Sequence, residues 1–137
     1  MKTFEFLEHT ADIKIKAYGK DINEVFKNSA YAFLNFLTNK KISEKKLKKI
    51  KVQGKDFESL LYNFIEELIF LLDSENLLIS KIKKLKIDKN KFKLESEIYF
   101  DKCEKYLIRK SIKAITYNEM YIKKQKDKWI AQFVLDI

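Results

Sequence analysis

The chain contains no proline and two glycines, and both glycines stand in the same local sequence, Gly-Lys-Asp. Gly19 follows a stretch in which apolar and polar residues alternate, which is the period of a β-strand, and a helix-period pattern comes after it. Gly54 stands in the same setting after residues 47–53. In each unit we expect the glycine to relax the turn and the aspartate two residues later to cap the helix. The chain is therefore predicted to contain two strand–turn–helix units, although three shared residues leave open whether they form an internal repeat.

Each predicted helix has one apolar side. The first helix, over about 21–38, has the spacing of a capping box at its start, with Glu24 three residues after Asp21. The second, over about 56–73, repeats large apolar residues every three or four positions. Stripes of this kind face a protein core more often than a cofactor, so we interpret both as core. Their members are Ile22, Val25, Phe26, Ala30, Phe33 and Leu37 in the first helix and Phe57, Leu60, Leu61, Phe64, Ile65, Leu68 and Leu72 in the second.

The second half of the chain is predicted to be strands. Residues 79–87 and 92–100 flank the turn-forming sequence Asp-Lys-Asn, and residues 112–122 and 128–135 flank a second polar turn. Two helices delivered by strand–helix–strand crossovers, together with two hairpins, predict an α+β fold. We expect a two-layer sandwich in which both helices pack on one face of a mixed β-sheet, within a single domain over residues 1–137.

The rare residues exclude most kinds of active site. Cys103 is the only cysteine and His9 the only histidine, so an internal disulfide, a zinc site of paired cysteines and a histidine cluster are all excluded. No Gly-rich phosphate loop is present. The chain therefore lacks the residues that a free-standing hydrolase or a methyltransferase factor would use, and we expect a protein that is not an enzyme.

Neither a membrane span nor a signal peptide is apparent in the sequence. The most apolar stretch, residues 60–72, is interrupted by Asn63, Glu66 and Glu67, whereas a span needs about 20 apolar residues. The N-terminus lacks the charged, apolar and small-residue segments of a signal peptide. We expect no membrane contact and a cytoplasmic location.

The net charge of +9 raises the possibility of nucleic-acid binding. Lysines are concentrated in residues 40–51. Arg109, however, is the only arginine among 29 basic residues, and recognition of phosphates and bases draws heavily on the arginine fork. A lysine-rich surface that serves solubility or heat tolerance is the simpler interpretation.

The best candidate site combines the two ends of the chain. Asp12 opens an early strand and Asp136 closes the last one. If these strands are antiparallel neighbours, the two carboxylates meet at one sheet edge, and the α-carboxylate of Ile137 adds a third oxygen ligand. Calcium, magnesium and manganese prefer such all-oxygen sites. The alternative for the two aspartates is that they are solvated caps at strand ends. The alternative for His9 is that it is a structural residue held by hydrogen bonds.

Four segments resemble the archease family. The sequence Phe-Leu-Glu-His-Thr-Ala-Asp-Ile at residues 6–13 is similar to the family's signature, and the ending Phe-Val-Leu-Asp-Ile at residues 133–137 is similar to its C-terminus. Residues 60–68 resemble its leucine-rich helix, and residues 112–117 its Lys-Ala-hydrophobic-Thr-Tyr strand. The chain departs from the family at Asn118, where many members carry histidine, and residues 101–110 match no motif.

The resemblance implies the fold, the site and the partner of the family. It implies a metal site, usually calcium, formed by Asp12, Asp136 and Ile137. The partner it implies is the RtcB-type tRNA-splicing RNA ligase, whose guanylylation and multiple turnover archeases promote, with His9 and Lys113 as candidates for partner activation. Contact with tRNA would then be indirect. The alternative function is a lysine-rich RNA-binding module or a chaperone-like adaptor for a tRNA-modifying enzyme.

Overall fold

The computed structural model describes residues 2–8, 11–108 and 110–137. Strands and helices alternate in the first half of the chain, and strands alone make up most of the second half. In chain order the elements are β1 (Phe4–Glu8), β2 (Asp12–Gly19), α1 (Ile22–Leu37), β3 (Lys46–Gln53), α2 (Phe57–Glu75), β4 (Leu77–Asp88), β5 (Lys93–Lys102), a short 3₁₀ turn (Cys103–Lys105), β6 (Ala114–Gln125) and β7 (Lys128–Asp136).

Both helices begin at the predicted aspartates. The Asp21 carboxylate accepts from the Glu24 amide at 2.8 Å, and the Asp56 carboxylate accepts from the Ser59 amide at 2.7 Å. At α2 the Ser59 hydroxyl also accepts from the Asp56 amide, which closes a capping box. The predicted helices are confirmed, with α2 extending two residues beyond its predicted end.

The two glycines are required for space and not for an unusual backbone angle. Neither has a positive φ, so the expectation that they relax the turns is wrong. Instead, a Cβ on Gly19 would lie 2.5 Å from the Val25 nitrogen, and a Cβ on Gly54 would lie 2.6 Å from the Leu60 nitrogen. Each glycine therefore allows the first turn of a helix to pack directly against the end of the preceding strand.

The two strand–helix units share more than three residues. Asn28 and Asn63, each nine residues after its glycine, donate to the carbonyl oxygen of the residue before that glycine, at 2.6 and 2.7 Å. A later hairpin also completes the sheet of each unit: β6 and β7 for the first unit, and β4 and β5 for the second. In both sheets the second strand of the hairpin lies between the other two strands, in the orders β2-β7-β6 and β3-β5-β4. Equal hydrogen bonds and equal topology favour the internal repeat, with the second unit inserted into the first.

The α+β class is confirmed, but the strand arrangement differs from the expected single mixed sheet. β1, β2, β7 and β6 form one sheet and β3, β5 and β4 form another, and every pair is antiparallel. The crossover through α1 delivers the chain to the second sheet. The crossover through α2 leaves β3 and β4 parallel, but the hairpin partner β5 inserts between them and pairs with both.

One apolar core joins the two sheets through the helices. Each helix contacts strands of both sheets, and the predicted stripes are buried or packed against the core. In β2 the alternation is strict, because Ile13, Ile15 and Ala17 are fully buried while their neighbours are only partly buried. No helix in the described ranges is long and apolar enough to cross a bilayer.

Candidate cation site at the chain ends

The first residue of β2 and the last residue of β7 lie directly opposite each other. The two strands pair antiparallel, in a register that runs from Asp12 opposite Asp136 to Gly19 opposite Trp129. The candidate site required these strands to be antiparallel neighbours, and this condition is met. Two aspartates from opposite ends of the chain thereby meet at one end of a strand pair.

Both aspartates project from the outer face of the sheet. Their strand neighbours Ile13 and Leu135 are fully buried, and successive side chains of a strand point to opposite faces. Directly opposite residues share a face, with Cβ atoms about 4.5–5.5 Å apart, and like charges there are destabilising. A cation shared by the two carboxylates would remove this repulsion.

The acidic pair is not a requirement of the fold. In the second sheet, the register of β3 and β5 places Leu47 opposite Tyr99 at the position that corresponds to the two aspartates. The same backbone position therefore carries an apolar pair in one unit and a pair of carboxylates in the other. This contrast indicates that the acidic pair serves a role beyond folding.

The C-terminal residue is held beside the acidic pair. The Ile137 amide donates to the Ala11 carbonyl oxygen at 3.1 Å, and the Ile137 side chain packs against the core. Its α-carboxylate belongs to the residue directly after Asp136. An α-carboxylate on Ile137 would be a third oxygen ligand beside the two aspartates, and hard cations prefer oxygen ligands of this kind.

The ligand set suits an open site. No cluster of three His, Cys, Asp or Glu side chains suited to a metal occurs among the residues the structure describes. The chain-ends group has two such side chains, and a third oxygen ligand would have to come from the main chain. Because Ca²⁺ takes about six to eight oxygen ligands, several positions would be left to water, to phosphate or to a partner.

Lys113 reaches the same strand end from the other side of β7. Its amide donates to the Asp136 carbonyl oxygen at 2.8 Å, and the next residue, Ala114, pairs with Asp136. The Lys113 side chain is exposed. Asp136 therefore has Asp12 opposite it on one side, and the backbone of Lys113 contacts its own backbone on the other. His9, the other candidate for partner activation, lies outside the described residues.

Comparison with known proteins identifies the family. The model of the archease protein family (MTH1598/TM1083) matches residues 4–137. The chain belongs to the archease family. Archeases from Sulfurisphaera tokodaii and Pyrococcus abyssi are each 41% identical to it over 100% of both chains.

Two solved structures support the archease fold. Protein 1598 of Methanobacterium thermoautotrophicum is 33% identical, with a TM-score of 0.84 over 100% of both chains. An archease from Thermotoga maritima, described as a possible chaperone, is 21% identical, with a TM-score of 0.65 over 96% of this chain and 94% of that one. The predicted archease-like fold is confirmed.

Next to the candidate site at the chain ends, β6 contains a large bulge that the sequence pattern did not predict. Thr116 pairs with Val134 and Tyr121 with Gln132, so residues 117–120 are inserted in β6 against a single residue of β7. Glu119 in this bulge has a φ of 57°, which is uncommon for a residue with a side chain. The sequence carries a signal, since the apolar positions are odd-numbered at Ile115 and Tyr117 but even-numbered at Met120 and Ile122.

Contacts on two sides hold the bulge in place. The Tyr117 ring stacks on Tyr62 of α2, with centroids 4.1 Å apart and planes 6° apart. The buried Gln132 side chain donates to the Glu119 carbonyl oxygen at 2.8 Å. Asn118, where the sequence departs from the family pattern, is exposed, and its backbone amide donates to Thr116 Oγ1. The departure from the family pattern therefore lies on the surface beside the site.

The second half of the lysine-rich segment, residues 46–51, lies on β3, an edge strand of the second sheet. Lys49 and Lys51 of β3 face Glu97 and Glu95 of β5 across the ladder. The same glutamates pair with Lys84 and Lys86 of β4 on the other side. Opposite charges on neighbouring strands stabilise a sheet, and here they place carboxylates in the middle of the basic surface.

Proposed function

We propose that the chain is a cytoplasmic accessory protein that activates an RtcB-type tRNA-splicing RNA ligase, and that it has no catalytic activity of its own. Its effect would be to promote guanylylation and multiple turnover of the ligase. One observation carries the proposal: the register of β2 and β7 brings Asp12, Asp136 and the C-terminus to one strand end in a chain of the archease family.

We further propose that this strand end holds a divalent cation, with calcium as the first candidate and magnesium or manganese as alternatives. Asp12 and Asp136 would provide side-chain oxygens, and Ile137 would provide its α-carboxylate. A bound cation would supply positive charge and open positions for phosphate oxygens. The facing carboxylates on an outer sheet face support this proposal, because they are the ligands that such ions prefer.

The surrounding residues fit an encounter with a nucleotide in the ligase. Lys113 is exposed beside Asp136 and is proposed to stabilise phosphate charge, as fixed positive groups do in phosphoryl transfer. The strand end is an outer part of the protein, so it is suited to approach a pocket in a partner. His9 is proposed to contribute to the same encounter, and contact with tRNA would be indirect.

The test compares ligase activity with the wild-type chain and with three variants. Asp12→Asn and Asp136→Asn keep the side-chain shape and remove one carboxylate each. A short extension past Ile137 keeps every side chain and converts the terminal carboxylate into an amide. All three should fold, because each change lies at a strand end, and all three should abolish stimulation, measured as guanylylated ligase and as RNA joined over many turnovers.

The matched control replaces Lys49 and Lys51, on the corresponding strand β3 of the other unit, by glutamine, which removes two positive charges without placing like charges opposite Glu97 and Glu95. Our proposal expects this variant to stimulate the ligase fully. If all three chain-end variants stimulate fully, the proposed mechanism is wrong. If stimulation is lost only in the lysine variant, together with salt-sensitive binding to RNA, the RNA-binding alternative is correct.

A further inference from the structure

Lys14 is the basic residue next to the acidic pair on the same sheet face. It lies two residues after Asp12 on β2 and opposite Val134, which lies two residues before Asp136. The Lys14 side chain is only 17% exposed. Residues two apart on a strand are about 7 Å apart, and diagonal cross-strand neighbours about 7–8 Å. The backbone position of this lysine is therefore one pair of residues away from the proposed cation position, on the same sheet face.

The Lys14 ammonium is paired with the bulge and not with the nearby aspartates. Its Nζ donates to Glu119 Oε1 at 3.1 Å. Glu119 reaches this position because it lies in the bulge of β6, in a left-handed conformation that costs about 1 kcal/mol or more in free energy. Bulges are enriched next to functional sites, where they redirect a side chain. Here the bulge directs a carboxylate onto a lysine that lies on the same sheet face as the acidic pair.

We propose that the Lys14–Glu119 ion pair sets the affinity of the chain-ends site for divalent cations. Lys14 repels a cation bound by Asp12 and Asp136, and Glu119 offsets that repulsion. This inference rests on the cation site of the proposed function, but it does not depend on the ligase. Neither residue is a ligand of the cation; both act through their charges.

The signs of the effects follow from these charges. Lys14→Met keeps the apolar stem, removes the positive charge and leaves the Glu119 carboxylate uncompensated, so cation affinity should rise. Glu119→Gln keeps the side-chain shape and leaves the lysine uncompensated, so affinity should fall. For a unit charge about 7 Å from a divalent ion, Coulomb's law in water gives roughly a fivefold to tenfold change in Kd in each direction. The double variant should return close to the wild-type Kd.

The experiment titrates Ca²⁺ into the purified chain by calorimetry at low ionic strength, for the wild type, both single variants and the double variant. Lys16→Met is the matched control, because Lys16 lies on the same strand and face but two residues farther from Asp12. Its effect should be only about twofold to threefold, because at about 14 Å the Coulomb energy is half of that at about 7 Å. Asp12→Asn, which removes a proposed ligand, should abolish binding.

The outcomes separate this inference from the proposed function. Opposite shifts in the two single variants and recovery in the double variant support it. If the wild type binds Ca²⁺ but both variants weaken binding, the pair only maintains the shape of the bulge and the inference is wrong. Unchanged affinities overturn it as well. If the wild type binds no cation, the cation site and this inference both fail, whereas loss of ligase stimulation with intact binding would overturn the proposed function alone.

Discussion

Replacing Asp12 by asparagine is expected to stabilise the chain without calcium and to destabilise it with calcium. In the cation-free chain the Asp12 and Asp136 carboxylates face each other across the β2–β7 ladder. At about 5 Å in water, two like charges repel by about 0.8 kcal/mol, which agrees with the range of about 0.2–1 kcal/mol for directly opposite cross-strand pairs. The Asp12→Asn variant should therefore gain about that amount in free energy of unfolding.

Calcium should reverse which of the two proteins, the wild type or the Asp12→Asn variant, is the more stable. A ligand present at about 100 times its Kd stabilises the folded state by about 2.7 kcal/mol. The wild type should gain this amount and the variant almost none. In excess calcium the variant should then be about 2 kcal/mol less stable than the wild type.

The measurement is urea unfolding followed by fluorescence of Trp129, with EDTA and with excess Ca²⁺. Trp129 is the only tryptophan, and it packs edge-on against Phe57 at 5.8 Å, at the opposite end of β7 from Asp136. It therefore reports global unfolding and not events at the site. A variant that is less stable than the wild type in EDTA, and that calcium stabilises as much as the wild type, would refute this reasoning.

Three further predictions concern the fold. Gly19→Ala should lower the free energy of unfolding by about 1–3 kcal/mol, because the new methyl would lie 2.5 Å from a backbone nitrogen of α1. Urea unfolding measures this loss. The control is Lys20→Ala at the exposed neighbouring residue, which should have little effect. Hydrogen bonds from the backbone amide and then the hydroxyl of Ser59 lower the pKa of Asp56. The stabilisation of the folded state by the ionised Asp56 carboxylate is therefore fully present above the ordinary carboxyl pKa and is lost as pH falls through the lowered pKa. At neutral pH the Asp56→Ala variant should be about 1 kcal/mol less stable than the wild type. This difference in free energy of unfolding should disappear when both proteins are titrated with acid. A double-mutant cycle of Tyr62→Ala and Tyr117→Ala should give a coupling energy of about 0.5–1.5 kcal/mol for the ring stack, and additive effects would show that the stack does not anchor the bulge.

Local sequence determines the helices and the hairpins. Asp21 and Asp56 accept from amides that each helix leaves free in its first turn, so a single side chain fixes where the helix starts. The hairpin turn at Asp88 is local in the same way, since its carboxylate accepts from the Asn90 and Lys91 amides. The role of the two glycines could not be predicted correctly, because their close neighbours belong to the packed helix and not to the turn.

The choice of strand partners was decided by the tertiary structure. Alternation in β3 and β5 predicts which side chains face the core, but it does not predict that β5 inserts between two parallel strands and splits the strands into two sheets. Backbone hydrogen bonds are alike for any partner, so the choice depends on how the helices bury their apolar faces against both sheets.

At the candidate site, too, some features follow from the sequence and others only from the tertiary structure. The sequence by itself determined that Asp12 and Asp136 occupy strand ends, because alternation and chain order fix those positions, and the proximity of the two residues followed from one assumption about pairing. Only the tertiary structure decided that Lys14 meets Glu119. That contact depends on a bulge held by α2 and by Gln132, and the residues that hold it are distant in sequence, so no local pattern encodes it.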